Sequence, residues 1–94
     1  MAVHPEASIA EGARVEGSVV MAGAVVGQDA DVSGSVVMPG AQLGEGARVN
    51  GSIVGPRSVV GQGASVTELS VLGDDVTVAD GAYLRGERVP ESPP

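Results

Sequence analysis

Aliphatic side chains recur along this chain at Val3, Ile9, Val15, Val20, Val26, Val32, Val37, Leu43, Val49, Val54, Val60, Val66, Leu72, Val78, Leu84 and Val89. The steps between them run six, six, five, repeatedly, with one six-six-six departure between Val54 and Leu72. A 17-residue super-period results, and internal periodicity of this kind governs the fold before any local propensity does. In phase, Val15-Glu16-Gly17-Ser18-Val19-Val20, Val32-Ser33-Gly34-Ser35-Val36-Val37 and Val49-Asn50-Gly51-Ser52-Ile53-Val54 are one phrase written three times. Val66-Thr67-Glu68-Leu69-Ser70-Val71-Leu72 is the same phrase with one residue inserted.

No apolar spacing follows the 3.6-residue helical period, and glycine recurs too often for helix interiors. The pattern predicts three short strands per coil, each ended by a glycine-rich corner, in five triangular coils over residues 3–19, 20–36, 37–53, 54–71 and 72–88. This is an all-β parallel solenoid. Because side chains alternate along a strand, each hexad points two residues inward: the aliphatic one and the small one two places before it. The small set comprises Ala7, Ala13, Ser18, Ala24, Ala30, Ser35, Ala41, Ala47, Ser52, Ser58, Ala64, Ser70, Val76 and Ala82, as a narrow interior requires. Burial of all sixteen aliphatic residues is expected, at about 1.5–3 kcal/mol each. Ser18, Ser35, Ser52 and Ser70 form one inward column, so each hydroxyl needs a hydrogen-bond partner. A corner column of Gly12, Gly46, Gly63 and Gly81 predicts positive φ, with Asp29 as its one exception.

Outward positions form ladders. Arg14, Asp31, Arg48, Ser65 and Tyr83 make one, with charges alternating at the strand spacing, which reads as a solvated face with mild cross-strand pairing. Val19, Val36, Ile53 and Val71, followed by Arg88, make another. Isolated surface valines need no account, but four stacked on one face do. They mark a candidate contact surface against another subunit or another domain, with Val25 and Val59 extending a neighbouring face.

Composition narrows the function classes. The chain has 15 glycines, one aromatic residue and no cysteine, so its core is built from small aliphatic side chains, and disulfides and thiolate metal sites are excluded. A formal charge of -7 without a single lysine removes the basic footprint that nucleic acid needs. No apolar run approaches a membrane span, and the opening Met1-Ala2-Val3-His4-Pro5 lacks the regions of a signal peptide, which makes a cytoplasmic protein the expectation.

The hexads Leu43-Gly44-Glu45-Gly46-Ala47-Arg48 and Val60-Gly61-Gln62-Gly63-Ala64-Ser65 resemble the bacterial hexapeptide transferase repeat. The resemblance covers residues 3–89 and implies a left-handed parallel β-helix with a Pro-rich tail at 90–94; the handedness is implied by the resemblance alone. Within that repeat class, the cadence Ser18-Val19-Val20, Ser35-Val36-Val37, Ser52-Ile53-Val54-Gly55 and Ser70-Val71-Leu72-Gly73 resembles the C-terminal β-helix of sugar-phosphate nucleotidyltransferases, above all mannose-1-phosphate guanylyltransferases. Met21 and Met38 stand where two of the four steps would carry glycine. The resemblance implies a non-catalytic domain for assembly or regulation, with no catalytic residue, cofactor or metal of its own. Its expected partners are further copies of itself or an N-terminal catalytic domain. No stretch matches the family's nucleotide loop. Glu87 falls in an inward slot and the proline tail is expected to end the helix, whereas the first coil, with only Met1 and Ala2 before it, is expected to lack its cap.

Rival readings rest on few residues. A hexapeptide acyltransferase would use a histidine base, and His4 is the one histidine, at the first corner. A γ-class carbonic anhydrase would need three histidines for zinc, available only from three copies of His4. Thr67 and Thr77 lie in different columns, which removes a flat threonine ladder. Asp74, Asp75 and Asp80 read as solvated turns, and Arg57, in a corner column with Gly23, Gly40 and Asp75, reads as a surface cation.

Overall fold

A computed structural model describes residues 2–86 and 88–89. Glu87 and the proline tail, and with them the expected C-terminal stop, lie outside the described residues. The described chain is all-β and winds through sixteen short strands, from β1 (Ala2–Val3) to β16 (Arg88–Val89). Every third strand stacks on the same sheet. Sheet A contains Ala2–Val3, Val19–Val20, Val36–Val37, Ile53–Val54, Val71–Leu72 and Arg88–Val89; sheet B contains Ser8–Ile9, Val25–Val26, Gln42–Leu43, Val59–Val60 and Thr77–Val78; sheet C contains Arg14–Glu16, Asp31–Ser33, Arg48–Asn50, Ser65–Thr67 and Tyr83–Arg85. All pairings are parallel. Parallel strands need a crossover, and here the other two sides of the triangle supply it.

Register follows the repeat. Val19 pairs with Val36 and Val36 with Ile53, a 17-residue offset, while Ile53 pairs with Val71 at 18. The single inserted residue is therefore absorbed without a slip in any sheet. It sits at the corner between sheets C and A, where Glu68 and Leu69 are both left-handed at φ 54 and 66. The same corner is turned by Gly17, Gly34, Gly51 and Gly86 elsewhere. A non-glycine residue in that region costs roughly 1–2 kcal/mol, so this corner stores strain that the equivalent glycine corners of the other coils avoid. Bridging the corner, the Arg85 Nε donates to Glu68 Oε2 at 2.6 Å, and the Leu69 N–H donates to the Gly51 carbonyl at 3.0 Å.

The interior holds two kinds of side chain, as the alternation requires. Val20, Val26, Val32, Val37, Leu43, Val49, Val54, Val60, Val66, Leu72 and Val78 are buried, as are Ala24, Ala30, Ala41, Ala47 and Ala64. The expectation that all sixteen aliphatic positions bury needs correction at the ends. Val3 and Ile9 are each 38% exposed, and Val15, Leu84 and Val89 are only half-buried. A terminal coil has a neighbour on one side only, so its inward side chains look out through the open end of the prism.

Four serines solve the polar problem of the tight corner. Ser18, Ser35, Ser52 and Ser70 are buried. Each hydroxyl donates within its own coil, to the carbonyls of Glu16, Ser33, Asn50 and Thr67 at 2.8, 2.8, 2.9 and 2.8 Å. The first three also accept the backbone N–H of the next serine, at 3.0, 3.0 and 3.2 Å. A relay of side chain to backbone runs up the inside of the corner, and among the described residues no buried side-chain polar atom lacks a partner. Asp29 takes φ 59 in the column of Gly12, Gly46, Gly63 and Gly81, where all four glycines are also positive. No helix of the described residues is long and apolar enough to cross a membrane.

Candidate assembly surface

Sheet A presents its outward side chains in a single file. Register places Val19, Val36, Ile53, Val71 and Arg88 one above another. Val19, Ile53 and Val71 are each 37% exposed, and Val36 is half-buried between its neighbours. An in-register aliphatic file on a flat face gives a strip of unsatisfied apolar area with no charge until Arg88. Val25 and Val59 occupy sheet B instead, separated by Gln42 and followed by Thr77. They belong to a different side of the prism and do not join the sheet A file.

Two apolar features flank that file which the sequence pattern did not single out. Leu69, two residues before Val71, is 81% exposed at the strained corner. At the opposite end of the sheet, Val3, His4, Val19, Val20 and Met21 line a mostly apolar cleft of about 220 Å³. A signal for the first existed in the repeat: Glu68-Leu69 occupies the place of a lone glycine in the preceding coils. The cleft carries no such signal, because it gathers side chains that the repeat assigns to different faces.

The other candidates resolve into structural roles. His4 is exposed, and its Nδ1 accepts the Glu6 N–H at 3.0 Å, a bond that closes the first corner. Its neutral form thus carries the proton on Nε2. Arg57 is not a free cation: Nε and Nη2 reach the two oxygens of Asp75 at 2.9 and 3.1 Å. That hydrogen bond holds the Asp75 carboxyl below its ordinary value and raises the Arg57 guanidinium. Both carry the left-handed φ of their column, at 58 and 56. Asp80 caps a turn, accepting the Gln62 N–H at 2.9 Å. Arg14, Asp31 and Arg48 stand in register, whereas ion pairs among the described residues join Arg57 to Asp75 and Arg85 to Glu68. The three line a polar cleft of about 290 Å³ with Gly12, Asp29 and Ala30. Among the described residues no three histidine, aspartate or glutamate side chains converge as metal ligands do.

Three parallel sheets wound from hexapeptide repeats make this chain a left-handed β-helix solenoid. Within that class, the chain belongs to the family described as the GMPPB C-terminal domain, which it matches over residues 1–93. The cadence of the serine corners, read above as guanylyltransferase-like, and the family match agree. No curated protein matches the chain. Among solved structures, the acetyltransferase domain of PglB from Neisseria gonorrhoeae is similar at 26% identity and a TM-score of 0.58, over 98% of this chain and 56% of that one. PerB from Caulobacter crescentus, solved in complex with CoA and GDP-perosamine, is similar at 25% identity and a TM-score of 0.50, over 96% and 50%. The chain thus spans about half the length of these structures.

Proposed function

We propose that this chain is the non-catalytic β-helix of a sugar-phosphate nucleotidyltransferase of the mannose-1-phosphate guanylyltransferase kind, and that it serves assembly, and through assembly regulation, in the cytoplasm. The family match over residues 1–93 carries the reading. Three features support it. The chain contains no lysine and no glycine-rich nucleotide loop, so nucleotidyl transfer belongs to a separate N-terminal domain. Its one histidine is engaged in a corner hydrogen bond. Its most distinctive surface is the Val19, Val36, Ile53, Val71 file, which suits contact and offers no group for chemistry. The partner for that face is a second copy of the chain.

The test replaces Val36 and Ile53 together with glutamate and follows mass by light scattering. Dissociation with unchanged thermal stability of the coil stack is the expected result. An unchanged mass with unchanged stability would sink the assembly role.

A second reading is favoured by the two acetyltransferase structures above. Under it the chain would bind coenzyme A and use His4 as a base. Titration calorimetry separates the two: saturable coenzyme A binding that His4→Asn weakens supports the enzyme, and absence of heat supports the assembly domain.

A further inference from the structure

Asn50 is the chain's one asparagine, and glycine follows it. In an Asn-Gly step the main-chain nitrogen of the glycine has an open approach to the asparagine side-chain carbonyl carbon, because no Cβ shields it. At Gly51 the space is clear: a Cβ built there would meet nothing within 4 Å among the described residues. The same place in the other coils holds Glu16, Ser33, Thr67 and Arg85, none of which carries a side-chain amide.

A single residue of the preceding coil holds both reacting groups. The Asn50 Nδ2 donates to Ser33 Oγ at 2.6 Å, and the Gly51 N–H donates to the Ser33 carbonyl at 2.8 Å. The first bond fixes the amide that would leave. The second engages the proton that the attacking nitrogen would have to lose. In the following coil the Leu69 N–H donates to the Gly51 carbonyl at 3.0 Å, and within its own coil the Ser52 hydroxyl donates to the Asn50 carbonyl at 2.9 Å. Asn50 is itself half-buried, at the end of a strand paired with Ser33. Ring closure has to move these groups together, so it has to wait for the corner to open.

We infer that Asn50-Gly51 is a site of spontaneous deamidation which the stacked coils hold closed, with Ser33 as the residue that holds it. When the corner opens, the Gly51 nitrogen gives its proton to solvent base and attacks Asn50 Cγ. The N–Cγ bond forms, the Cγ–Nδ2 bond breaks, and the departing nitrogen takes a proton from water and leaves as ammonia. Water then adds to either carbonyl of the cyclic imide and opens it to aspartate or to isoaspartate. Each event adds a negative charge to a chain whose formal charge is already -7. Isoaspartate also routes the main chain through the side-chain carbons, which lengthens it by one atom between Asn50 and Gly51. That extra length falls at the corner between sheets C and A, which accepts a whole added residue at Glu68-Leu69 one coil later.

Incubation of the whole chain in mildly alkaline buffer, folded or unfolded in urea, tests this by peptide mass spectrometry at Asn50. The unfolded chain is expected to convert Asn50 to aspartate and isoaspartate at least about ten-fold faster than the folded one. Equal rates overturn the protection, and an unchanged Asn50 in urea overturns the lability. Ser33→Ala removes the hydroxyl that holds Nδ2, and should speed the folded reaction at least about two-fold while leaving the unfolded rate as it was. Ser33→Thr keeps a hydroxyl, as Thr67 does in the same column, and should restore the wild-type rate. If Ser33→Ala reacts no faster than wild type, or Ser33→Thr as fast as Ser33→Ala, the role of Ser33 is overturned. The comparison of folded with unfolded wild type decides the protection even where Ser33→Ala fails to fold.

Discussion

The Ser35 hydroxyl sits between two coils: it accepts the Ser52 N–H at 3.0 Å and donates to the Ser33 carbonyl at 2.8 Å. A second acceptor, the Val49 carbonyl at 3.2 Å, lies in the next coil. Because Ser35 and Ser52 are both buried, removing this oxygen leaves a main-chain donor with no access to water. Ser35→Ala is therefore expected to lose about 1–3 kcal/mol in urea unfolding, the penalty of an orphaned buried group. Ser65→Ala, at an outward position, should stay within about 0.5 kcal/mol.

Corner glycines divide into those that need space and those that need conformation. A Cβ on Gly55 would lie 2.3 Å from the Gly73 carbonyl oxygen, backbone that cannot swing away. On Gly46 a Cβ meets nothing within 4 Å, but φ is +70. Gly46→Ala should cost about 1–2 kcal/mol of conformational strain. Gly55→Ala should cost more, because the chain itself has to move, and thermal melting of the pair gives the order.

The small inward column sets an upper size. Ala47 is fully buried, stacked between Ala30 and Ala64 in the rungs on either side. Ala47→Leu is expected to destabilise by about 1–3 kcal/mol or more through overpacking. Arg48→Leu, one residue along and pointing outward, should leave the urea midpoint nearly unchanged.

The Arg57–Asp75 pair gives a pH signature with a fixed sign. Asp75 is held below its ordinary value of 3.8 by the Arg57 hydrogen bond. A carboxyl depressed in the folded state contributes stability above its unfolded value and loses it as pH falls through the folded one. Wild type and Asp75→Asn should thus differ in melting temperature at neutral pH and converge in acid, below the ordinary aspartate range. The pair is exposed, so the difference should be small and should shrink with added salt. A gap that widens in acid would refute the assignment.

Nearly all of the fold was legible because one constraint, a narrow prism with in-register stacking, is written into every seventeenth residue. The positions of Val20 to Val78, the serine column and the left-handed Asp29 all follow from phase alone. What escaped is what phase does not encode. Val3 and Ile9 keep the inward phase yet are exposed, since burial also needs a coil on both sides. Arg57 finds Asp75 across eighteen residues through side-chain rotamers that a column letter does not specify. The cleft beside Met21 gathers side chains that the phase assigns to different faces, inward Val3 and Val20 and outward Val19.

The extra residue at Glu68-Leu69 has an implication for how this chain can change. Ser70 still reaches the Ser52 hydroxyl, at 3.2 Å, so the count of residues at that corner is free while the count along the strands is not. Lengthening there leaves the downstream rungs in phase. Novelty can thus enter the molecule by the corner, one residue at a time, without renegotiating the coils that follow.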